Sequence, residues 1–214
     1  LNRSDPAYDG KLAFYDAEEE VCVGVLVFAE RYRRLEKKMA VQEKDPCRKV
    51  ELTAISRVLA RVPAQPASSF HEALQMVWLM QLIPQIESNG FSISLGRLDQ
   101  YCWPYLKADL AAGTITLEQA QELLDLLWLK FCEILRVDSR DAAEVNAGYY
   151  VAGQNIEVGG VDRGGHDCTN LLSYLCLNAN RHIQLHQPNF TIRLHAGTPQ
   201  EFLDHAVGSI ACGN

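Results

Sequence analysis

No run of apolar residues in the 214-residue chain approaches the roughly 20 needed to cross a bilayer. The longest, around 21–29 and 74–86, fall short, and the second holds Gln75, Gln81, Pro84 and Gln85, so no membrane role is expected. Basic residues are scarce as well: 20 Lys and Arg against 27 Asp and Glu leave a formal charge of -7, which gives nucleic-acid binding no support from composition. Regular cysteine spacing is missing too. The seven cysteines form no C-x-x-C pair, which argues against a disulfide scaffold or a zinc knuckle and for reduced thiols that act as small buried hydrophobes in the cytoplasm. The opening residues 1–10 are polar and carry two acids, unlike a secretory leader. Repeats, low-complexity tracts and Gly/Ser linkers are lacking, so 1–214 reads as a single segment.

What is present is ordinary globular composition, 48% hydrophobic and 22% charged. The stretch from Lys11 to Glu43 is rich in Ala, Glu, Leu, Arg and Lys with apolar residues at steps of three and four, which predicts one long helix or two with a break near Gly24. Asp45-Pro46 opens a second helix that stops at Val62-Pro63. Ser69, with Glu72 three residues on, has capping-box spacing before a helix from Phe70 to about Leu82, apolar nearly all round and ended by Pro84. Phe91 to Leu95 alternates with period two, as a short strand or extended loop would. Helices follow near Arg97 to Ala111, kinked or restarted at Pro104, and from Leu117 to Leu135 after a Thr116 cap. The last third mixes strands at Asn155–Val158 and Phe190–Leu194 with helices at about Asp167–Asn180 and from Thr198-Pro199, a pattern that favours an α/β architecture. Two short strands without hairpin partners would leave sheet edges bare, which suggests part of a larger sheet.

Three constellations invite a chemical reading. His182 and His186, four apart, could join His195 as metal ligands, but Gln184, Gln187 and Pro188 end the helix before His186, and no H-E-x-x-H occurs. Glu87, Asp99, Asp138, Asp141 and Glu144 could supply an acid and a base for glycoside hydrolysis, though loop carboxylates are ordinarily solvated. Gly159-Gly160 and Gly164-Gly165 lack the G-x-G-x-x-G or G-K-S/T pattern of a phosphate cradle and fit a loop that needs positive φ after a strand.

The run Glu87-Ser-Asn-Gly-Phe-Ser-Ile-Ser-Leu-Gly-Arg-Leu-Asp-Gln-Tyr101 resembles a segment of the glycyl radical enzymes, the group of pyruvate formate-lyase and its relatives that dehydrate glycerol, propanediol or hydroxyproline. Further blocks follow in the family's order: Ser69 to Gln75, Asn155 to Gly160, Asp167 to Tyr174, Gln187 to His195, and Thr198 to Phe202. The resemblance implies a helix-rich part of a ten-stranded α/β barrel, incomplete in this chain, with helices outside and radical chemistry within a water-excluded interior. It also implies a glycyl radical that generates a thiyl radical on a cysteine, which abstracts hydrogen from a small-molecule substrate. No cofactor takes part in turnover; a separate S-adenosylmethionine-dependent iron–sulfur activating enzyme installs the radical, and the intact enzyme is expected to be a homodimer.

The thiyl block of type G-C-x-E and the radical block of type R-V-x-G-aromatic do not occur in these residues, so no catalytic residue is assigned and the 214 residues alone are expected to be inactive. Substrate-binding positions implied by the resemblance are Phe91, Ser92 and Leu98. Phe91 stands where dehydratase-like members carry His, Ser92 matches a substrate-contacting position, and Leu98 replaces a frequent Phe. Phe91 would suit a bulkier or partly apolar substrate, such as a hydroxyproline-like ring or a quaternary amine. The expected activity is that of a dehydratase-like lyase breaking C–O or C–N bonds. The competing readings are a formate acetyltransferase, a noncatalytic helical interaction module, and a carboxylate-based barrel hydrolase.

Overall fold

Helices begin where the sequence supplies caps. In the computed structural model, which describes residues 3–90, 92–135, 137, 139–145 and 153–212, α1 (Tyr8–Gln42) runs unbroken through Gly24. Gly24 costs about 1 kcal/mol relative to Ala, too little to break a helix of 35 residues built from strong formers. α2 (Pro46–Arg61) starts with Asp45 accepting the Cys47 N–H at 3.0 Å and Pro46 in the first turn. The two helices pack as a hairpin through Ala29, Ala40, Leu52, Val58 and Leu59, and Ser56 Oγ donates to the Arg33 carbonyl. Residues 1–67 form one unit and residues 68–214 another, so the chain divides at the proline-bearing connection although no linker composition marks it.

In the second unit, Ser69 caps α3 (Phe70–Ser88), accepting the Glu72 N–H at 3.2 Å, while the Glu72 carboxylate accepts from Ser68. The helix runs past Pro84, contrary to expectation. Pro84 removes one N–H and frees the carbonyl of Met80, a residue that is itself exposed, and the buried Gln85 with the left-handed Asn89 cap holds the final turn. Of the two readings of 91–95, short strand or extended loop, residues 92–95 take the loop. Ser92 has φ 60° and the Ile93 carbonyl is taken by Gln81, so strand pairing is confined to β1 (Gly96–Arg97), with Leu95 N–H bonded to the Asn155 carbonyl. Next come α4 (Leu98–Tyr101) and α5 (Trp103–Ala112), restarted at Cys102 just before Pro104 and closed by Gly113 at φ 66°.

α6 (Leu117–Cys132) opens with a capping box between Thr116 and Gln119. It is followed by α7 (Arg140–Val145), β2 (Asn155–Gly159), α8 (Leu171–Ile183), β3 (Asn189–Arg193) and α9 (Gln200–Ala211). α8 starts four residues later than expected because Asp167 and Thr169 bond each other within the loop and Asn170 is the cap. The strands form a parallel sheet in the order β1-β2-β3, with Arg97 opposite Glu157 and Glu157 opposite Thr191.

Ile156 and Val158 are wholly buried on the helix side of the sheet, where Phe190 meets Trp128 of α6 and Tyr174 of α8 meets Phe202 of α9. Burying side chains of this size contributes about 1.5–3 kcal/mol each, which ties the three helices to one face. The opposite face carries Asn155, Glu157, Thr191 and Arg193 and stays accessible. Among the described residues no helix is long and apolar enough to cross a membrane. Burial as small hydrophobes holds for Cys102 and Cys176, whereas Cys22, Cys47 and Cys212 are exposed and Cys132 and Cys168 are half-buried.

Candidate functional site

Parallel strands joined by helices bring all their strand-to-helix turns to one end of the sheet, the end at which open parallel sheets bind ligands. Here that end collects Arg97, the loop 159–168 and the turn 195–198. Gly159 and Gly160 have φ 74° and 83°, which the sequence reading anticipated. A Cβ at Gly159 would stand 3.0 Å from the Arg193 carbonyl, and one at Gly160 3.1 Å from the Arg193 Cβ, so both positions also need the missing side chain for space.

The segment Arg97 to Gln100 pins this loop. Arg97 donates to the carbonyls of Gly159 (2.6 Å) and Val161 (2.9 Å). Asp99 is fully buried, and its Oδ2 accepts the Gly159 N–H at 2.7 Å and the Ser173 hydroxyl at 2.5 Å. Because Ser173 Oγ already accepts the Asn170 N–H, its own hydrogen goes to the carboxylate. Gln100 Nε2 donates to the Cys168 carbonyl at 3.0 Å, and Asn170 Nδ2 to the Asp99 carbonyl at the same distance. Burial pushes the Asp99 carboxyl above the usual carboxylate range, against the pull of these donors and of the Arg97 charge. Of the carboxylates considered from sequence, Glu87, Asp141 and Glu144 are exposed and Asp138 lies outside the described residues, which leaves Asp99 as the buried member.

The loop so fixed carries Asp167, whose Oδ1 lies 2.9 Å from His195 Nε2. Neither residue was paired with the other from sequence, yet a signal existed: each follows a strand of one β-α-β unit, so both belong to the same sheet end. The three histidines do not converge. His182 sits on α8 against Asp125 at 2.9 Å, and His186 and His195 flank opposite ends of β3, a strand whose length is about 17 Å at 3.3 Å per residue. Among the described residues no group of three His, Cys, Asp or Glu could hold a metal ion.

At the other end of the strands three buried glutamines join α3 to the sheet. Gln81 Nε2 donates to the Ile93 carbonyl (2.7 Å) and to Gln154 Oε1 (3.0 Å). Gln154 in turn donates from its backbone to Gln187 and from its amide to the Phe131 carbonyl, each at 2.9 Å. Ile93, whose carbonyl joins this cluster, directly follows the expected substrate position Ser92. Phe91 lies outside the described residues. Ser92 is exposed, with its carbonyl accepting from Ser94 Oγ at 3.3 Å, and Leu98 has no accessible surface. A groove of about 510 Å³ lies elsewhere, on the helix side between β3 and α9, lined by Leu185, Phe190, Ile192, Leu203, Val207 and Ile210.

Comparison with known proteins matches this architecture. A family model described as pyruvate formate lyase-like matches residues 1–214. An isethionate sulfite-lyase of Nitratidesulfovibrio vulgaris is 36% identical over 206 residues, which cover 95% of this chain and 25% of that protein. Among solved structures, one of 1,2-propanediol dehydration in Roseburia inulinivorans superposes with a TM-score of 0.94 at 40% identity, covering 98% of this chain and 25% of that one. The glycerol-bound glycerol dehydratase of Clostridium butyricum gives 0.92 at 38% identity, with 97% and 26% covered. The chain thus spans about a quarter of the length of the relatives it matches.

Proposed function

On the premise that the chain belongs to the pyruvate formate lyase-like family throughout its length, we propose that it forms one wall of the reaction chamber of a glycyl radical lyase. The reaction would remove a hydroxyl or amine group from a small metabolite. The observation that carries this reading is the sheet itself: helices cover one face, and the other presents Asn155, Glu157, Thr191 and Arg193. In an α/β barrel with helices outside, the uncovered face is the inner one. That face is linked by ladders of its own, Thr191 Oγ1 to Asn155 Oδ1 at 2.9 Å and Arg193 to Glu157 at 3.3 Å, so it offers a polar wall with paired charges.

In this reading Phe91 and Ser92 lie against substrate, Ser92 offering one hydrogen bond and Phe91 an apolar face, while Leu98, expected at the substrate too, has no accessible surface at the start of α4 and makes no such contact. The polar ends of the strands orient the substrate, and the helix-covered outer face keeps water from the chamber. The radical chemistry is that of the family, with the glycyl radical installed by a separate S-adenosylmethionine-dependent activating enzyme and no bound cofactor in turnover. A cytoplasmic homodimer is the expected setting.

The test is turnover by the radical-loaded enzyme on a panel of small diols, hydroxyproline-like rings and hydroxyalkyl quaternary amines. One of these classes is expected to lose water or an amine, and Ser92→Ala is expected to lower that rate about 10-fold at equal radical content, the loss of one hydrogen bond of about 1.4 kcal/mol. Unchanged turnover in Ser92→Ala removes Ser92 from the site, and full radical content without elimination on any class refutes the reading.

A further inference from the structure

We propose that Asp167 is a positioning residue that holds the His195 imidazole in a single tautomer, with the proton on Nε2; the inference rests on the reading that this sheet face is turned toward substrate. Two contacts define the tautomer. Gly197 donates its backbone N–H to His195 Nδ1 at 3.1 Å, and a backbone N–H can only donate, so Nδ1 carries the lone pair. The proton is then on Nε2, which faces Asp167 Oδ1 at 2.9 Å. In the opposite tautomer an N–H would meet an N–H on one side and a lone pair would meet a carboxylate on the other.

Both partners are held independently. The Asp167 carboxylate accepts the Thr169 hydroxyl on Oδ1 at 2.9 Å and the Thr169 N–H on Oδ2 at 3.2 Å. Its backbone bridges to Val161, and the next residue, Cys168, donates its N–H to the Gly160 carbonyl at 2.9 Å. On the histidine side, the His195 N–H donates to Thr198 Oγ1 at 2.9 Å and the Thr198 N–H returns to the His195 carbonyl at 3.0 Å. The two side chains keep only 21% and 23% of their surface accessible, so the ring has little room to turn.

The position of the ring gives the tautomer its meaning. Along β3, Phe190 and Ile192 face the helix-side groove while Thr191 and Arg193 face the accessible side, and continuing that alternation places position 195 with Thr191 and Arg193. A ring whose Nε2–H is committed to Asp167 presents Nδ1 as an acceptor. A substrate O–H or N–H can share or displace the Gly197 contact there, whereas a substrate carboxylate or carbonyl cannot. Asp167 therefore sets the hydrogen-bonding polarity of this corner without touching substrate.

The tautomer is read by long-range proton–nitrogen NMR on the full chain labelled with 15N-histidine, at about pH 8, where an ordinary histidine is neutral. The native chain is expected to show His195 with a protonated Nε2 and a lone-pair Nδ1, unmixed. Asp167→Ala is expected to give averaged nitrogen shifts for that ring alone, and Asp167→Asn, whose amide oxygen can still accept, to restore the native pattern. Unchanged His182 and His205 resonances separate release of the ring from unfolding. A mixed tautomer in the native chain, or an unmixed one in Asp167→Ala, overturns the proposal. In the radical-loaded enzyme kcat should fall about 10-fold in Asp167→Ala with KM nearly constant, and recover in Asp167→Asn. Native turnover in His195→Ala, with the tautomer as stated, would refute the placement of substrate at this end while leaving the hold of Asp167 on the ring intact.

Discussion

Replacing Asp99 with Ala strands two buried donors at once, the Gly159 N–H and the Ser173 hydroxyl. Each unsatisfied buried donor costs about 1–3 kcal/mol, and the relief of the desolvated carboxylate returns part of that, which leaves a net loss of about 2–4 kcal/mol. Asp99→Asn behaves differently, because its amide oxygen can accept both hydrogens, so its cost near neutrality is expected to stay at about 1 kcal/mol. Protonation adds a second signature. Burial raises the Asp99 carboxyl above its ordinary 3.8, so the native state holds the proton to higher pH than the unfolded chain does. The slope of unfolding free energy with pH follows protons bound in the unfolded state minus those bound in the native state, so this group's contribution to stability falls as pH rises from about 4 through its folded value. The Asn variant lacks that titration, and its cost should therefore shrink as pH rises through the same window. Urea unfolding followed by circular dichroism, at a series of pH values from 4 to 8, measures both effects. An Ala variant within about 0.5 kcal/mol of the native chain, or an Asn penalty that grows with pH, would refute the assignment of Asp99 as a buried acceptor.

Two further expectations can be checked on the chain itself. Gly159→Ala combines φ 74° with a Cβ 3.0 Å from the Arg193 carbonyl and 3.1 Å from Phe202 Cε1, whereas Gly165→Ala has φ 82° in open space, so the first should lose about 2–3 kcal/mol and the second about 1 kcal/mol; equal losses in urea melts would remove the packing argument. The exposed thiols of Cys22, Cys47 and Cys212 should react with an aromatic disulfide reagent at once, and those of Cys102, pushed up to about 12 by burial, and Cys176, which burial also pushes up, only on unfolding. Peptide mapping of the modified chain decides this, and early labelling of Cys176 would contradict the core assignment.

Much of the fold was legible because helix starts are written locally. Asp45 before Pro46, Ser69 and Thr116 each serve as the cap that their residue type and position indicate. The strands at 155–159 and 189–193 were legible for a related reason, since short β-rich runs bounded by glycine or proline fit nothing else. The failures share a cause in contacts distant along the chain. The alternation at 91–95 left a short strand and an extended loop both open, and what selects the loop at 92–95 is not local: Gln81 of α3 takes the Ile93 carbonyl and Ser92 takes a left-handed φ. Pro84 reads as a helix end in isolation, yet a buried Gln85 and an Asn89 that bonds both the N–H and the carbonyl of Val137 carry the helix onward. The family blocks located the site segments through Arg97 and Asp167, while the pairing of Asp167 with His195 emerged only from the geometry of the β-α-β unit.

The end of β2 shows why the Arg-Leu-Asp-Gln segment stands beside a double glycine. Positive φ at Gly159 turns the backbone out of the strand, so its N–H and carbonyl need partners that the sheet no longer supplies. Asp99 takes the N–H and Arg97 takes the carbonyl, a negative group on the donor and a positive group on the acceptor, and both come from one short stretch of chain. Charge-assisted bonds of this kind are about twice as strong as neutral ones, and the short tether between the two groups fixes their spacing. A Cβ at Gly159 or Gly160 would push against Arg193 from the other side, so the glycines are the condition for the clamp to close. The loop that begins there delivers Asp167 to His195, which means that the residue setting the ring's orientation is itself placed by side chains more than sixty positions earlier.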